Sequence, residues 1–93
     1  MNRFLTLLGL LLPVAAAALE INTATRAQLE QLNGLGVATV ERILQAREQR
    51  AFADWQDLAA RVSGLRGKRA AQLDRQGLTV GGRPLRGERD SRK

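Results

Sequence analysis

Two segments of this chain repeat one pattern at a spacing of thirty residues, and this repeat constrains the fold more than any other feature. Each unit reads as a helix, a glycine-containing turn and a second helix, and neither unit buries its apolar stripe alone. The repeat therefore predicts an all-α domain of four short helices, with the two units packed about a pseudo-twofold axis. The aligned pairs are Leu32 with Val62, Gly34 with Gly64, Leu35 with Leu65, Val40 with Ala70 and Ile43 with Leu73.

Capping residues and glycines predict where the first unit begins and turns. Thr25 and Gln28 have the spacing of a capping box, which predicts a short helix from about Arg26 to Leu32. We expect Gly34 to end this helix in a left-handed conformation. The next helix has a predicted apolar stripe of Val37, Val40, Ile43 and Leu44.

The second unit is predicted to begin at Asp54, which suits a helix N-cap, with Asp57 in the first helical turn. A last short helix is predicted to end at Gly77, and residues 78–80 to close the core as an extended segment. We assign the other apolar residues to the core rather than to a ligand surface: Phe52, Trp55, Leu58, Val62, Ala70 and Leu73.

Part of the 93-residue chain is predicted to lie outside the domain. Residues 1–18 have a charged start, an apolar run and an Ala-x-Ala end, the pattern of a secretory signal peptide. The apolar run of 16 residues, 4–19, is shorter than the roughly 20 that span a bilayer. We therefore predict cleavage after Ala18, a periplasmic protein and no membrane span once cleaved; a retained anchor is the alternative. Residues 19–80 are the predicted domain, and residues 81–93 a disordered basic tail.

Charge and composition narrow the function. Residues 19–60 hold four arginines and six acidic residues, whereas residues 61–93 hold ten Lys or Arg and three acidic residues. This basic second half favours a polyanionic partner. Without Cys or His, the chain lacks disulfides and the commonest general base and metal ligand. Its two Phe and one Trp offer no stacking platform for single strands. We expect a binding protein and not an enzyme, with no metal, cofactor or small-molecule substrate.

The two glycine turns are the candidate binding site. Amides at a helix start have no intrahelical acceptor and carry the positive end of the helix dipole, and glycine lets an anion approach them closely. Two such turns are expected to hold phosphates on both strands of one DNA duplex without reading sequence, with Lys68 and Arg69 contributing most affinity. The candidate DNA-binding residues are Gly34, Leu35, Gly36, Val37, Gly64, Leu65, Arg66, Gly67, Lys68 and Arg69.

Residues 21–80 resemble the helix-hairpin-helix module of the ComEA type, the periplasmic DNA receptors of natural transformation. The resemblance implies a tandem helix-hairpin-helix domain behind a signal peptide and nonspecific binding of double-stranded DNA. It also implies a transformation pilus or an inner-membrane DNA channel as further partners. Its most specific parts are Asn22-Thr23-Ala24, the Leu32-x-Gly34-Leu35-Gly36 turn, Arg47 and Leu78-Thr79-Val80.

Both turns depart from the family pattern. Asn33 stands where the family usually has proline, no basic residue lies near Thr39, and Arg66 occupies the position of the second glycine. The first turn is thus expected to offer bare amides without cations, and the second to offer cations. Because the same fold occurs in an exported photosystem subunit that works by docking, a protein-interaction module without nucleic acid is the alternative function.

Overall fold

The computed structural model describes residues 18–85. Most of the predicted signal peptide, residues 1–17, and residues 86–93 of the predicted tail lie outside this part of the chain. The prediction of an all-α domain of four short helices is confirmed. No helix within the described range is long and apolar enough to cross a membrane. The elements are β1 (Leu19–Glu20), α1 (Arg26–Glu30), α2 (Val37–Gln49), α3 (Trp55–Arg61), α4 (Gly67–Arg75) and β2 (Leu78–Thr79).

The two short strands join the ends of the domain, and the sequence did not predict their pairing. They run parallel, with Leu19 opposite Leu78 and Glu20 opposite Thr79. The amide of Leu19 donates to the Gly77 carbonyl at 3.0 Å. The segment predicted to close the core therefore has a partner strand from the start of the domain.

Side-chain caps begin two of the helices. Thr25 Oγ1 accepts from the Gln28 amide at 3.1 Å, and Gln28 Oε1 accepts from the Thr25 amide at 2.9 Å, which is the predicted capping box of α1. Asp54 Oδ1 accepts from the Asp57 amide at 2.7 Å, as predicted for α3. The starts of α2 and α4 have no side-chain cap. Their first amides are therefore open to an outside acceptor.

Helix α1 is shorter than predicted. It ends at Glu30, and Gly34 adopts its positive φ of 102° four residues later, within the turn. The amide of Leu32 donates to the Leu29 carbonyl at 3.1 Å, so the last turn tightens to a 3₁₀ type before the glycine is reached. Gly77, with φ 99°, follows the C-cap of α4 as predicted.

One hydrophobic core lies between the helices and takes one residue from each glycine turn. Leu35 is 8% exposed and Leu65 is 1% exposed. Val37, predicted to belong to the apolar stripe of α2, is 71% exposed instead. It is the first residue of α2 and lies beyond the edge of the core, which Val40 and Ile43 reach one and two turns later.

Residues 81–85 pack against the domain, although the sequence analysis assigned them to the tail. Trp55 Nε1 donates to the Arg83 carbonyl at 3.0 Å, and the Leu85 amide donates to Asp74 Oδ1 at 3.0 Å. Two glycines with φ of 64° and 80° turn the chain back over the indole. The folded domain therefore includes these five residues.

Candidate nucleic-acid interface

The two glycine turns share a backbone conformation. Gly34 and Gly64 have φ values of 102° and 90°. The next helix follows an extended N-cap residue in each unit, Gly36 with φ −89° and ψ 173°, and Arg66 with φ −114° and ψ 168°. The thirty-residue repeat thus extends to the backbone, and Arg66 replaces the second glycine without changing that conformation. The units differ one residue later, because Gly67 has a φ of 56°.

The first turn presents backbone donors to solvent. The backbone amide of Leu35, a candidate DNA-binding residue, donates to the Leu32 carbonyl at 3.4 Å, so the buried Leu35 fixes the turn without offering its amide. The donors that follow it stand at the positive end of the 13-residue helix α2. In this turn, the amides that have no acceptor within residues 18–85 are those of Gly36, Val37, Ala38 and Thr39.

Gly36 is a glycine that the fold itself does not require. Its φ of −89° is open to any residue, and an added Cβ would meet nothing within 4 Å. Gly34 differs, because its φ is 102° and an added Cβ would lie 2.9 Å from Arg69 Cδ. Gly34 therefore serves the fold, whereas Gly36 leaves the solvent side of the open amides free for a close approach.

The second turn carries the predicted cations, in two different situations. Arg66 and Lys68 are exposed, and neither side chain forms an ion pair with another described residue. Arg69 Nη1 donates to the Gly34 carbonyl and so crosses from the second unit to the first turn. Lys68 is thus exposed without an ion-pair partner among the described residues, whereas Arg69 has a structural partner.

Arg42 brings a cation to the first turn, which the sequence analysis did not anticipate. Its Nη2 donates to Thr39 Oγ1 at 3.2 Å, beside the open amides of α2. Arg42 is exposed and has no ion pair within the described range. The available signal was the spacing of three residues between Thr39 and Arg42, which places both on one helix face.

Two other arginines hold the fold together. Arg61 Nη2 donates to the carbonyls of Ala46 and Arg50 at 2.7 and 2.8 Å. Arg47, one of the residues that carry the family resemblance, donates through Nη1 to the Ile21 carbonyl at 2.8 Å. These side chains add to the net charge of the sequence but are engaged inside the domain.

A hollow beside the second turn is smaller than the pockets that bind drug-sized molecules. It has a volume of about 210 Å³ and lies between Trp55, Arg66 and Leu85. Pockets that hold drug-sized molecules measure roughly 300 to 1,000 Å³. The exposed surface of the turns, with its donors and cations, is therefore the better candidate for a binding site.

Fold and site define a class of protein in which two units, each a pair of helices joined by a glycine turn, present open amides and basic side chains at their turns. A family model described as a helix-hairpin-helix motif matches residues 14–76, about two thirds of the chain. The protein belongs to this helix-hairpin-helix family, whose motif commonly binds nucleic acid. Searches of curated proteins and of solved structures returned no match.

Proposed function

We propose that this protein binds double-stranded DNA without sequence preference, by phosphate contacts at its two glycine turns, and that it is not an enzyme. The observation that carries the proposal is Gly36, a bare glycine next to open amides at a place where the fold neither needs nor fills the space. Phosphate oxygens are acceptors only, and they suit a set of donors at the positive end of a helix.

The chemistry of the two turns favours a backbone-binding mode. Contacts from amide and ammonium groups to phosphates place a protein on the duplex, but they carry no information about the base sequence. Arg42 stands beside the first turn, and Arg66 and Lys68 stand on the second. With about three phosphates neutralised, log affinity should fall against log salt concentration with a slope of about −3.

The proposal is tested by fluorescence anisotropy with a short random duplex at several salt concentrations. Gly36→Ala is expected to weaken binding about tenfold, because its methyl group stands in the path of the phosphate, and to leave the salt slope unchanged. Lys68→Ala should make the slope shallower by about one. Gln49→Ala is the control, since Gln49 is exposed at the opposite end of α2, about 18 Å from Val37.

Two results would count against this proposal. Wild-type affinity in Gly36→Ala, with unchanged thermal unfolding, would exclude the open amides of α2 from the interface. A failure of the wild type to bind duplex DNA at tens of micromolar near physiological salt would instead favour the docking module as the function.

We further propose that the protein is exported and holds incoming DNA for a transformation pilus or an inner-membrane channel. The support is the signal-peptide pattern of residues 1–18 and the resemblance to ComEA-type receptors. Fractionation of cells that express a C-terminally tagged chain tests export. A periplasmic product that begins at Leu19 is expected, while an uncleaved product in the cytoplasm would contradict export.

A further inference from the structure

We infer that Gln76, the C-cap residue of α4, is a positioning residue that holds the first glycine turn ready for phosphate, so that the two units form one composite site. This inference rests on the proposed function and extends it to a residue without a DNA contact of its own.

The Gln76 side chain pairs with the first turn through both ends of its amide. The backbone amide of Asn33 donates to Gln76 Oε1 at 2.8 Å, and Gln76 Nε2 donates to the backbone carbonyl of Asn33 at 2.8 Å. Nε2 also donates to the Gln72 carbonyl at 3.2 Å, which fixes the side chain along its own helix. Residues 43 positions apart are thus joined by two hydrogen bonds, as in a pair of adjacent strands.

The same face of α4 contacts the next peptide group of the turn. Arg69 Nη1 donates to the Gly34 carbonyl, and an added Cβ at Gly34 would meet Gln72 Oε1 at 3.0 Å. Positions 69, 72 and 76 are spaced by three and four residues, so they share one side of a helix. The side of α4 that faces the first turn therefore holds the backbone on both sides of the Asn33–Gly34 peptide.

Apart from the buried Leu35, the elements on either side of the first turn give its backbone little support. Helix α1 is only five residues long and ends before the turn, and no side chain caps α2. Glycine has more backbone freedom to lose on ordering than any other residue. Amides that are already fixed in convergent directions lose less entropy on binding an anion. Removal of the Gln76 pair should therefore reduce affinity without removing any contact to DNA.

The test measures duplex affinity for Gln76→Ala and Gln76→Met, with Gln49→Ala as the matched neutral control. Both variants at position 76 are expected to bind about fivefold more weakly. Their salt slope should equal that of the wild type, because neither variant removes a charge. Gln76→Met keeps most of the side-chain volume, so it preserves the test if the alanine variant loses thermal stability.

A double-mutant cycle separates positioning from general stability. Because Gln76 acts through the first turn, its effect on affinity should disappear in the Gly36→Ala background. Additive effects in the double variant, or wild-type affinity in both variants at position 76, would overturn the inference and leave the proposed function intact. Wild-type affinity in Gly36→Ala would instead exclude the open amides of α2 from the interface, which counts against the proposed function itself.

Discussion

Glu20 fastens the two ends of the domain, and its replacement by glutamine is expected to destabilise the fold by about 2 kcal/mol. Oε1 accepts from Thr79 Oγ1 and the Gly82 amide, each at 2.8 Å. Oε2 accepts from Asn22 Nδ2 at 2.9 Å, from the Asn22 amide at 3.2 Å and from the Gly81 amide at 3.0 Å. One carboxylate thus receives five donors from both ends of the domain.

The size of the destabilisation follows from the NH₂ group of glutamine, which cannot accept a hydrogen bond. When the NH₂ group of the glutamine takes the place of Oε1, the Thr79 hydroxyl can reorient to accept from it. The Gly82 backbone amide cannot, and it then faces another donor. One hydrogen bond to a charged acceptor is lost, which costs roughly 1.5–3 kcal/mol, and the lower part of this range fits a half-buried group. For a domain of this size, a loss of about 2 kcal/mol lowers the melting temperature by roughly 8–16 °C.

The same carboxylate makes stability depend on pH. Burial raises the pKa of Glu20, but hydrogen bonds from Gly82, Thr79, Asn22 and Gly81 outweigh burial and hold the pKa below its ordinary value of 4.5. Above pH 4.5 the group is ionised in the folded and unfolded chains, and its contribution is complete. As the pH falls further, the unfolded chain binds the proton first, and the contribution is lost through the lower folded pKa.

Urea denaturation at neutral pH and at several values below 4.5 tests both expectations. The fluorescence of Trp55, the one tryptophan of the chain, reports the transition because the indole is buried. The difference between wild type and Glu20→Gln should shrink as the pH falls. Asp57, whose pKa is lowered by the Ala53 amide and by Arg61, also weakens the fold in acid, but equally in both proteins. A constant difference across this pH range would refute the reasoning.

Three further expectations follow from the contacts that hold the turns and the C-terminal segment. Truncation after Val80 should lower the melting temperature, because the segment that contacts Trp55 is lost. Truncation after Leu85 should leave the melting temperature unchanged, and thermal unfolding of both truncated proteins checks this. Arg61→Ala should cost about 2–3 kcal/mol of unfolding free energy through its lost carbonyl contacts, while the salt slope of DNA binding stays that of the wild type. Gly34→Ala should cost about 1–2 kcal/mol in urea denaturation, because a φ of 102° is strained for a residue with a Cβ.

Features set by neighbours in the chain were predictable from the sequence. The capping box of Thr25 and Gln28 and the N-cap Asp54 depend on contacts within one helical turn, and all formed as expected. Leu35 and Leu65, which the repeat aligns, are both buried, because equivalent positions of two packed units meet the same core.

Features set by contacts between distant residues were not predictable. Strands of two residues show no periodicity, so the pairing of Leu19 with Leu78 left no pattern to read. The bond from Arg69 to Gly34 spans 35 positions and depends on how the two units pack. Val37 matched the apolar period of α2, but its exposure depends on where the helix begins relative to the core.

The two turns should respond differently to salt, because they bind phosphate by different means. Lys68 gains affinity by releasing a counterion, so the penalty of Lys68→Ala should shrink about tenfold for each tenfold rise in salt. The uncharged amides beside Gly36 release no counterion, so the loss of affinity in Gly36→Ala should stay constant as the salt concentration rises. A titration at rising salt should therefore reach a concentration at which Lys68→Ala binds like the wild type while Gly36→Ala still binds more weakly. Penalties that decline in parallel would mean that both turns act only through their surrounding positive charge.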